Sequence, residues 1–501
     1  MSFRKDWIER WAEYAPIKVA VSDAETGDSL TYRQLNNLSN LLAQHLQNKG
    51  IQPGDRVAVL SEFRLEYVVL LGAAMKLGFI IVPLNYRLSA REIGYMVNNC
   101  EPRMLISEEK FDSLFDPNEI KCNPEHRWKM SELTSYSKDV SDPEHSFNSI
   151  SLKDDDPLFI IYTSGTTGFP KGAIYSYKMA FWNAVNTQIR LDITSRDHTV
   201  ICMPPFHTGG WNVLLMPFLL QGGSFTLLRK FDAANVLRLL ENEEATLFMG
   251  VPTMLKMMAD EEVLNEVGLE SVRYFIVGGE AMPLQLIKLW ESKGVPIRQG
   301  FGLTEAGPNI YSLHHDDAIR KIGSIGTPNF FVNVKLMKQD GSEANEEEEG
   351  ELLISGPVVT PGYWNNDVAT KEALTGGWFR TGDILVRDAE GYYYVKDRIK
   401  NMFISGGENV YPAEVEKLLQ THPSIHEVAV IGVPDDRWGE VGKAIIVADS
   451  SLNQADILDF CAGKLAKYKI PKHIQFVSEI PKTESGKIDR KSLNTLFSKK
   501  L

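Results

Sequence analysis

Cysteine is scarce in this chain: Cys100, Cys122, Cys202 and Cys461 are four among 501 residues, and none stands in a Cys-x-x-Cys pair. Such spacing rules out a paired-cysteine zinc framework or a disulfide scaffold, and it suits a reducing cytoplasm. Long apolar runs are missing as well. The most apolar stretch, Val68 to Leu84, is interrupted by Lys76 and carries Pro83 near its end. It reads as a buried helix followed by a strand, not as an integral membrane segment. The opening MSFRKDWIERWAEY mixes charges with aromatics and lacks the apolar core of a signal peptide. Positive charge is in deficit: 53 lysines and arginines face 66 acidic residues, a formal balance of −13. That balance argues against nucleic acid as a partner and leaves room for a local basic site that takes phosphates. No Ser/His/Asp or Cys/His motif supplies a protein nucleophile. No internal repeat or long disordered linker interrupts the chain.

What is present suits a large globular chain. Hydrophobic residues make up 43% and charged ones 24%, enough to fill cores in roughly two to four units at this length. RVAVL (56–60), LEYVVLLGAAMKLG (65–78) and FIIVPL (79–84) read as strand, helix and strand, a parallel βαβ unit. VRYFIVGGEAMPLQLIKLW (272–290) repeats the theme with a glycine turn between strand and helix. From about residue 335 the pieces shorten to VKLMKQDG, GELLISGP and GYYYVKDR, strand-like and separated by turns, with the charge run 341–351 as a solvated hairpin tip. Beyond 397–401 the pattern gives a helix at 412–420, strands at 426–433 and 443–449, a helix at 454–466 and a strand at 473–477. The expected fold class is therefore α/β. A large N-terminal body, 1–399, carries a β-rich subdomain at about 325–399; a small α+β C-terminal domain, 400–501, follows a short hinge at Lys400.

The sharpest segment is YTSGTTGFPKG (162–172), set between the strand candidates PLFII (157–161) and AIYSY (173–177). Gly165 and Gly168, the hydroxyls of Thr163, Ser164, Thr166 and Thr167, and the cation Lys171 make a loop rich in donors that polyphosphate can approach closely. It is not a Walker A loop, since Pro170 stands where that motif needs its second glycine. A plain surface turn would use the same residue types, but not over the whole string.

YTSGTTGFPKG resembles the phosphate loop of the adenylate-forming superfamily, which includes acyl-CoA synthetases, peptide-synthetase adenylation domains and firefly-type luciferases. The resemblance runs the length of the chain in the family's order: PPFHTGG (204–210), VGGEAM (277–282), GFGLTEAG (300–307), GWFRTGD (377–383), DRIKNMFISGGENVYPAEVE (397–416) and PKTESGKIDR (481–490). It implies ATP, Mg²⁺ and coenzyme A as cofactors or co-substrates, and a small carboxylic acid as substrate.

By the same resemblance, Thr304 contacts the α-phosphate and Glu305, with Thr167, holds Mg²⁺. Phe301, between Gly300 and Gly302, takes a position that stacks on adenine. Gly278, Gly279 and Glu280 form a turn against adenine, with an ordinary strand–helix turn the competing reading for Glu280. Asp383 and Arg398 bind the ribose. Lys487 bridges the attacking carboxylate and the α-phosphate. Lys400 is the pivot between two half-reactions, after which Gly406, Gly407 and Glu408 of SGGEN line the CoA channel; a simple turn before the helix at Pro412 is compatible with that role. His207 flanks the acyl carboxylate and CoA entry. Trp211 either gates the acyl tunnel or packs statically, and Val251 and Met254 belong to the Met-, Leu- and Val-rich stretches 211–215 and 249–256 expected at an apolar acyl pocket.

The implied activity is an AMP-forming acyl-CoA synthetase for a medium- or long-chain fatty acid, with aryl acids of the cinnamate or succinylbenzoate type as the alternative. An acyl-AMP ligase or luciferase-like enzyme with a non-CoA acceptor would share most of these motifs. Family habit points to a homodimer.

Overall fold

The computed structural model describes residues 5–122, 124–133, 146–163, 170–279, 282–405, 408–435, 437–462, 464–483 and 487–497. They fall into two compact units, one of residues 1–334 and 354–379, the other of 335–353 and 380–501.

The first unit holds two sheets. Six strands run in the spatial order His126–Lys129, Met104–Ser107, Arg56–Leu60, Ile80–Pro83, Pro157–Thr163 and Lys171–Ser176. The predicted βαβ unit is here: Arg56–Leu60 and Ile80–Pro83 pair in parallel, joined by the helix Leu65–Leu77. That helix is buried from Tyr67 to Leu77, as an all-apolar helix must be. The charge within that buried stretch, Lys76, is fully buried, and its ammonium donates to Asp6 at 2.5 Å and to Asn36 at 2.8 Å. A buried cation requires such partners, so the lysine that breaks the apolar run in sequence is satisfied by the N-terminal helix.

The second sheet has nine strands in the order Thr327–Pro328, Tyr311–Leu313, Ile297–Phe301, Tyr274–Val277, Leu247–Gly250, His198–Ile201, Ser224–Leu227, Val19–Asp23 and Ser29–Thr31. One core joins inward residues of both sheets, such as Ile81, Phe159, Val21 and Phe225, through the helices Tyr32–Asn48 and Leu65–Leu77. The outer face of the nine-stranded sheet is covered by Ala233–Asn242, Pro252–Asp260 and Leu284–Ser292, and that of the six-stranded sheet by Ala90–Cys100. Parallel strands buried on both faces explain the Val- and Ile-rich runs of the sequence.

His198 opens a central strand of the larger sheet, with its ring nitrogens on Ser224 Oγ at 2.8 Å and Thr226 Oγ1 at 3.1 Å. Burial, reinforced by Lys18, pushes its pKa down to about 4 from 6.5. Its contribution to stability is intact above pH 6.5 and lost as the pH falls from there through about 4. The loss runs at about 1.4 kcal/mol per pH unit, on the order of 3 kcal/mol in all. Urea melts from pH 7.5 to 4 should show this slope in the native protein and a flatter one in His198→Gln. Equal slopes would remove the histidine from the account.

In the second unit, Asn333–Met337, Glu349–Ser355, Trp378–Arg387 and Tyr393–Arg398 pair in chain order, and the charge run forms an exposed turn between the first two. A further sheet has the order Glu408–Val410, Phe403–Ser405, Gly439–Ala448, Ile425–Asp435, with His473–Phe476 parallel to Gly439–Ala448. Segments 335–353 and 380–399 thus sort with the C-terminal residues, Lys400 among them. A physical tie accounts for that grouping: Asp397, just before Lys400, accepts a hydrogen bond from Ala413 N–H at 2.9 Å at the start of the helix Pro412–Leu419.

Candidate active site

Strands Pro157–Thr163 and Lys171–Ser176 form an antiparallel pair with Thr163 opposite Lys171, so the phosphate-loop sequence spans the open end of a hairpin. Ser164, Gly165, Thr166, Thr167 and Gly168 lie outside the described residues, as do Glu280, Gly406 and Gly407. Two ends of the loop are fixed. Thr163 Oγ1 donates to Glu305 Oε1 at 3.3 Å, and Lys171 Nζ stands 5.2 Å from the centre of the Tyr363 ring. Tyr363 Oη in turn donates to the same Glu305 oxygen at 3.0 Å.

Glu305 sits with Thr304 on a short 3-10 turn, Thr304–Ala306, that follows the strand Ile297–Phe301. Gly302 makes this approach feasible, because a Cβ there would collide with the Pro308 carbonyl. Gly278 ends the neighbouring parallel strand. A Cβ on it would lie 3.5 Å from Gly300 O, and Gly279 takes a left-handed φ of +89°. The two glycine segments GG and GFG therefore lie side by side at the carboxyl ends of parallel strands, where open α/β sheets receive ligands. Phe301 is half-buried, with its ring 6.0 Å from that of Tyr311 in an edge contact.

Trp211 is fully buried among Phe63, Tyr67 and Phe159, and its indole N–H donates to Pro205 O at 2.6 Å. Val251 and Met254 pack into the core between the larger sheet and its outer helices. A small apolar cavity nearby is lined by Cys202, Met203, Gly209, Leu214, Leu215 and Met249, of which the last three fall in the segments 211–215 and 249–256 expected at the pocket. Met254 belongs to the helix Pro252–Asp260, whose buried face points to the core, whereas Met249 is on the preceding strand. His207 is half-buried at the start of the short helix Thr208–Asn212, its ring 4.6 Å from that of Phe206.

In the second unit, Asp383 and Arg398 face each other across adjacent strands, and Arg398 Nε donates to Asp383 Oδ1 at 2.8 Å. Asp383 is buried and Arg398 largely exposed. Lys400, Glu408 and Lys487 are exposed. Lys487 belongs to a small hairpin: its carbonyl accepts from Thr483 N–H at 2.6 Å, and Lys482 bridges to Ile488. Three residues on, Arg490 makes a forked pair with Glu416, both bonds 2.8 Å, and also donates to Val430 O at 2.9 Å. Burial pushes the Glu416 carboxyl up, against the pull of Arg490 and of the Val430 N–H.

Tyr363 and the Arg490–Glu416 pair are what sequence reasoning missed. Arg490 stood in a quoted motif without a role. Tyr363 carried no local signal, since its partner is 58 residues away.

For a cation, the oxygen set around Glu305 suits a hard ion such as Mg²⁺. His314, His315 and Asp316 also cluster, but Arg298 donates to His315 Nδ1 at 3.1 Å and to His314 Nε2 at 2.8 Å. Its guanidinium already occupies one nitrogen of each ring and opposes a second positive charge there.

Known proteins carry the same organisation. The family model described as AMP-binding enzyme matches residues 8–364, and that of the AMP-binding enzyme C-terminal domain matches 414–487. The chain belongs to the AMP-binding enzyme family. It is similar to a feruloyl-CoA synthase from Amycolatopsis sp. (38% identity, covering 96% of each chain). It is also similar to a long-chain-fatty-acid–CoA ligase from Mycobacterium tuberculosis (36%, 98% of each). Among solved structures, O-succinylbenzoate coenzyme A synthetase from Bacillus subtilis, in complex with ATP and magnesium ion, superposes with a TM-score of 0.86 at 30% identity, covering 98% of this chain and 99% of that one.

Proposed function

We propose that the protein is an AMP-forming acid–thiol ligase that activates a medium- or long-chain fatty acid with ATP and passes the acyl group to coenzyme A. The observation that carries this reading is the convergence of Thr163, Lys171 and Glu305 beside the paired glycine turns. In the first half-reaction the carboxylate attacks the α-phosphorus and pyrophosphate leaves. Lys171 and Lys487 neutralise developing charge, and Thr304 orients the α-phosphate. Mg²⁺, held by Glu305 with Thr167, would supply further charge neutralisation on the phosphates. Phe301, Gly278, Gly279 and Glu280 receive adenine; Asp383 and Arg398 receive the ribose. In the second half-reaction the CoA thiol attacks the acyl carbon and AMP leaves. Between the two, the C-terminal segment turns about Lys400, withdrawing Lys487 and bringing up Gly406, Gly407 and Glu408, with His207 near the carboxylate. The protein works in the cytoplasm, and we take it as a homodimer on family habit alone.

An aryl acid is the second reading, favoured by the similarity to a feruloyl-CoA synthase. The test is incubation with Mg-ATP, CoA and a panel of fatty and aryl acids, following AMP and thioester by mass spectrometry. Thioester from fatty acids of one length range is the expected result; thioester from aryl acids alone would replace the main reading with the second. Acyl-AMP accumulating without thioester would overturn the CoA acceptor and favour a carrier protein or an oxidative fate.

A further inference from the structure

Segment 360–364 stitches together the two loops that carry the proposed phosphate and metal ligands. Thr360 N–H donates to Glu305 O and its hydroxyl to Ile174 O, both at 2.7 Å; Trp364 N–H donates to Gly172 O at 2.7 Å, and Tyr363 bridges to Ala173. Tyr363 lies where these ties cross. Its ring is under the Lys171 ammonium, within cation–π range, and its hydroxyl is on the Glu305 carboxylate. Among the described residues Lys171 and Glu305 make no ion pair with each other, although one aromatic side chain touches both.

We infer that Tyr363 is a positioning residue that holds Lys171 and Glu305 apart, keeping the cation available for phosphate and the carboxylate available for Mg²⁺. A direct lysine–glutamate pair would satisfy both charges and leave neither for the substrate. The tyrosine prevents that by offering each a separate partner, a ring face to one and a hydroxyl to the other. It also orients the carboxylate: Thr163 and Tyr363 both donate to Oε1, which directs Oε2 to other ligands.

The inference rests on the proposed role of Glu305, and the test separates the two. Glu305→Gln should raise the Mg²⁺ concentration needed for half-maximal pyrophosphate release; no change would sink the role of Glu305 itself. With that established, Tyr363→Phe keeps the ring under Lys171 and removes only the hydroxyl. It should raise the same Mg²⁺ requirement and slow adenylation about 10- to 100-fold, the size of one hydrogen bond to a charged group. Transfer of a synthetic acyl-AMP to CoA should be unchanged, as should the thermal midpoint. In Tyr363→Leu, ATP affinity should fall as well, because Lys171 is released to pair with Glu305. The Tyr363→Phe/Glu305→Gln double variant should be no slower than Glu305→Gln alone. A Tyr363→Phe enzyme with native Mg²⁺ dependence, or losses that multiply in the double variant, would overturn the inference. So would an equal loss in both half-reactions.

Discussion

Lys487→Ala should lose acyl-adenylate formation by at least about 100-fold, the usual cost of removing one preorganised charge-stabilising donor, while keeping transfer from acyl-AMP to CoA within about 3-fold. The asymmetry follows from the chemistry. Charge builds on the α-phosphate as the carboxylate attacks, and a cation placed there acts on that step alone. Attack of a thiol on a mixed anhydride needs no such cation at the same place. The lysine is exposed and its carbonyl accepts a backbone bond from Thr483 N–H, so truncating its side chain costs little stability and the kinetic loss can be read directly. Pyrophosphate release measures the first half-reaction; thioester formed from synthetic acyl-AMP measures the second. Equal loss in both would mean that Lys487 holds structure rather than charge.

Removing one partner of the Arg490–Glu416 pair should produce the largest change in stability. Glu416 is buried and Arg490 mostly so, joined by two bonds of 2.8 Å, with Val430 N–H at 2.7 Å on the same carboxylate. Truncating either side strands the other charge in a poorly solvated place, which costs about 3–5 kcal/mol. Arg490→Ala should therefore lower the urea midpoint of the second unit well below that of Lys487→Ala. Because the pair anchors the chain three residues after Lys487, adenylation should weaken as well, and more than thiol transfer. Replacing both together, as Glu416→Leu with Arg490→Met, should recover much of the stability, since a matched apolar pair leaves no charge unpaired. An Arg490→Ala protein as stable as the native one would show that solvent reaches Glu416 freely.

Local signals carried the sequence reading a long way, and distance set its limits. The βαβ unit at 56–84 was recoverable because its apolar period, its length and its strand ends are written in one short segment, and the observed strands and helix agree with it within a few residues. The C-terminal helix expected at 454–466 is the nearest local failure. It ends at Cys461, because Ala462 adopts extended backbone with ψ 131°, although the apolar spacing continues. The order of the nine-stranded sheet could not be read, since it pairs Val19–Asp23 with Ser224–Leu227. Tyr363 and Glu305 were invisible as a pair for the same reason. Composition pointed to the segments 211–215 and 249–256, but it does not tell which of their residues line a cavity and which fill a core. Met249, on the strand Leu247–Gly250, lines the small cavity, whereas Met254, on the helix that follows, packs in the core.

The pairing of Val21 with Phe225 bears on how the molecule comes to exist during synthesis. The strand Val19–Asp23 leaves the ribosome early, and its hydrogen-bonding neighbour follows about 200 residues later. At roughly 5–20 residues per second the interval is on the order of 10–40 seconds. Throughout that time an apolar strand with an open edge is on the nascent chain, able to pair with whatever it meets. The six-stranded sheet, whose central pair closes within residues 56–83, can form meanwhile and give the waiting strand a surface to lie against. Yield of active protein should thus depend on translation speed and on holdase chaperones more than the stability of the finished molecule would suggest.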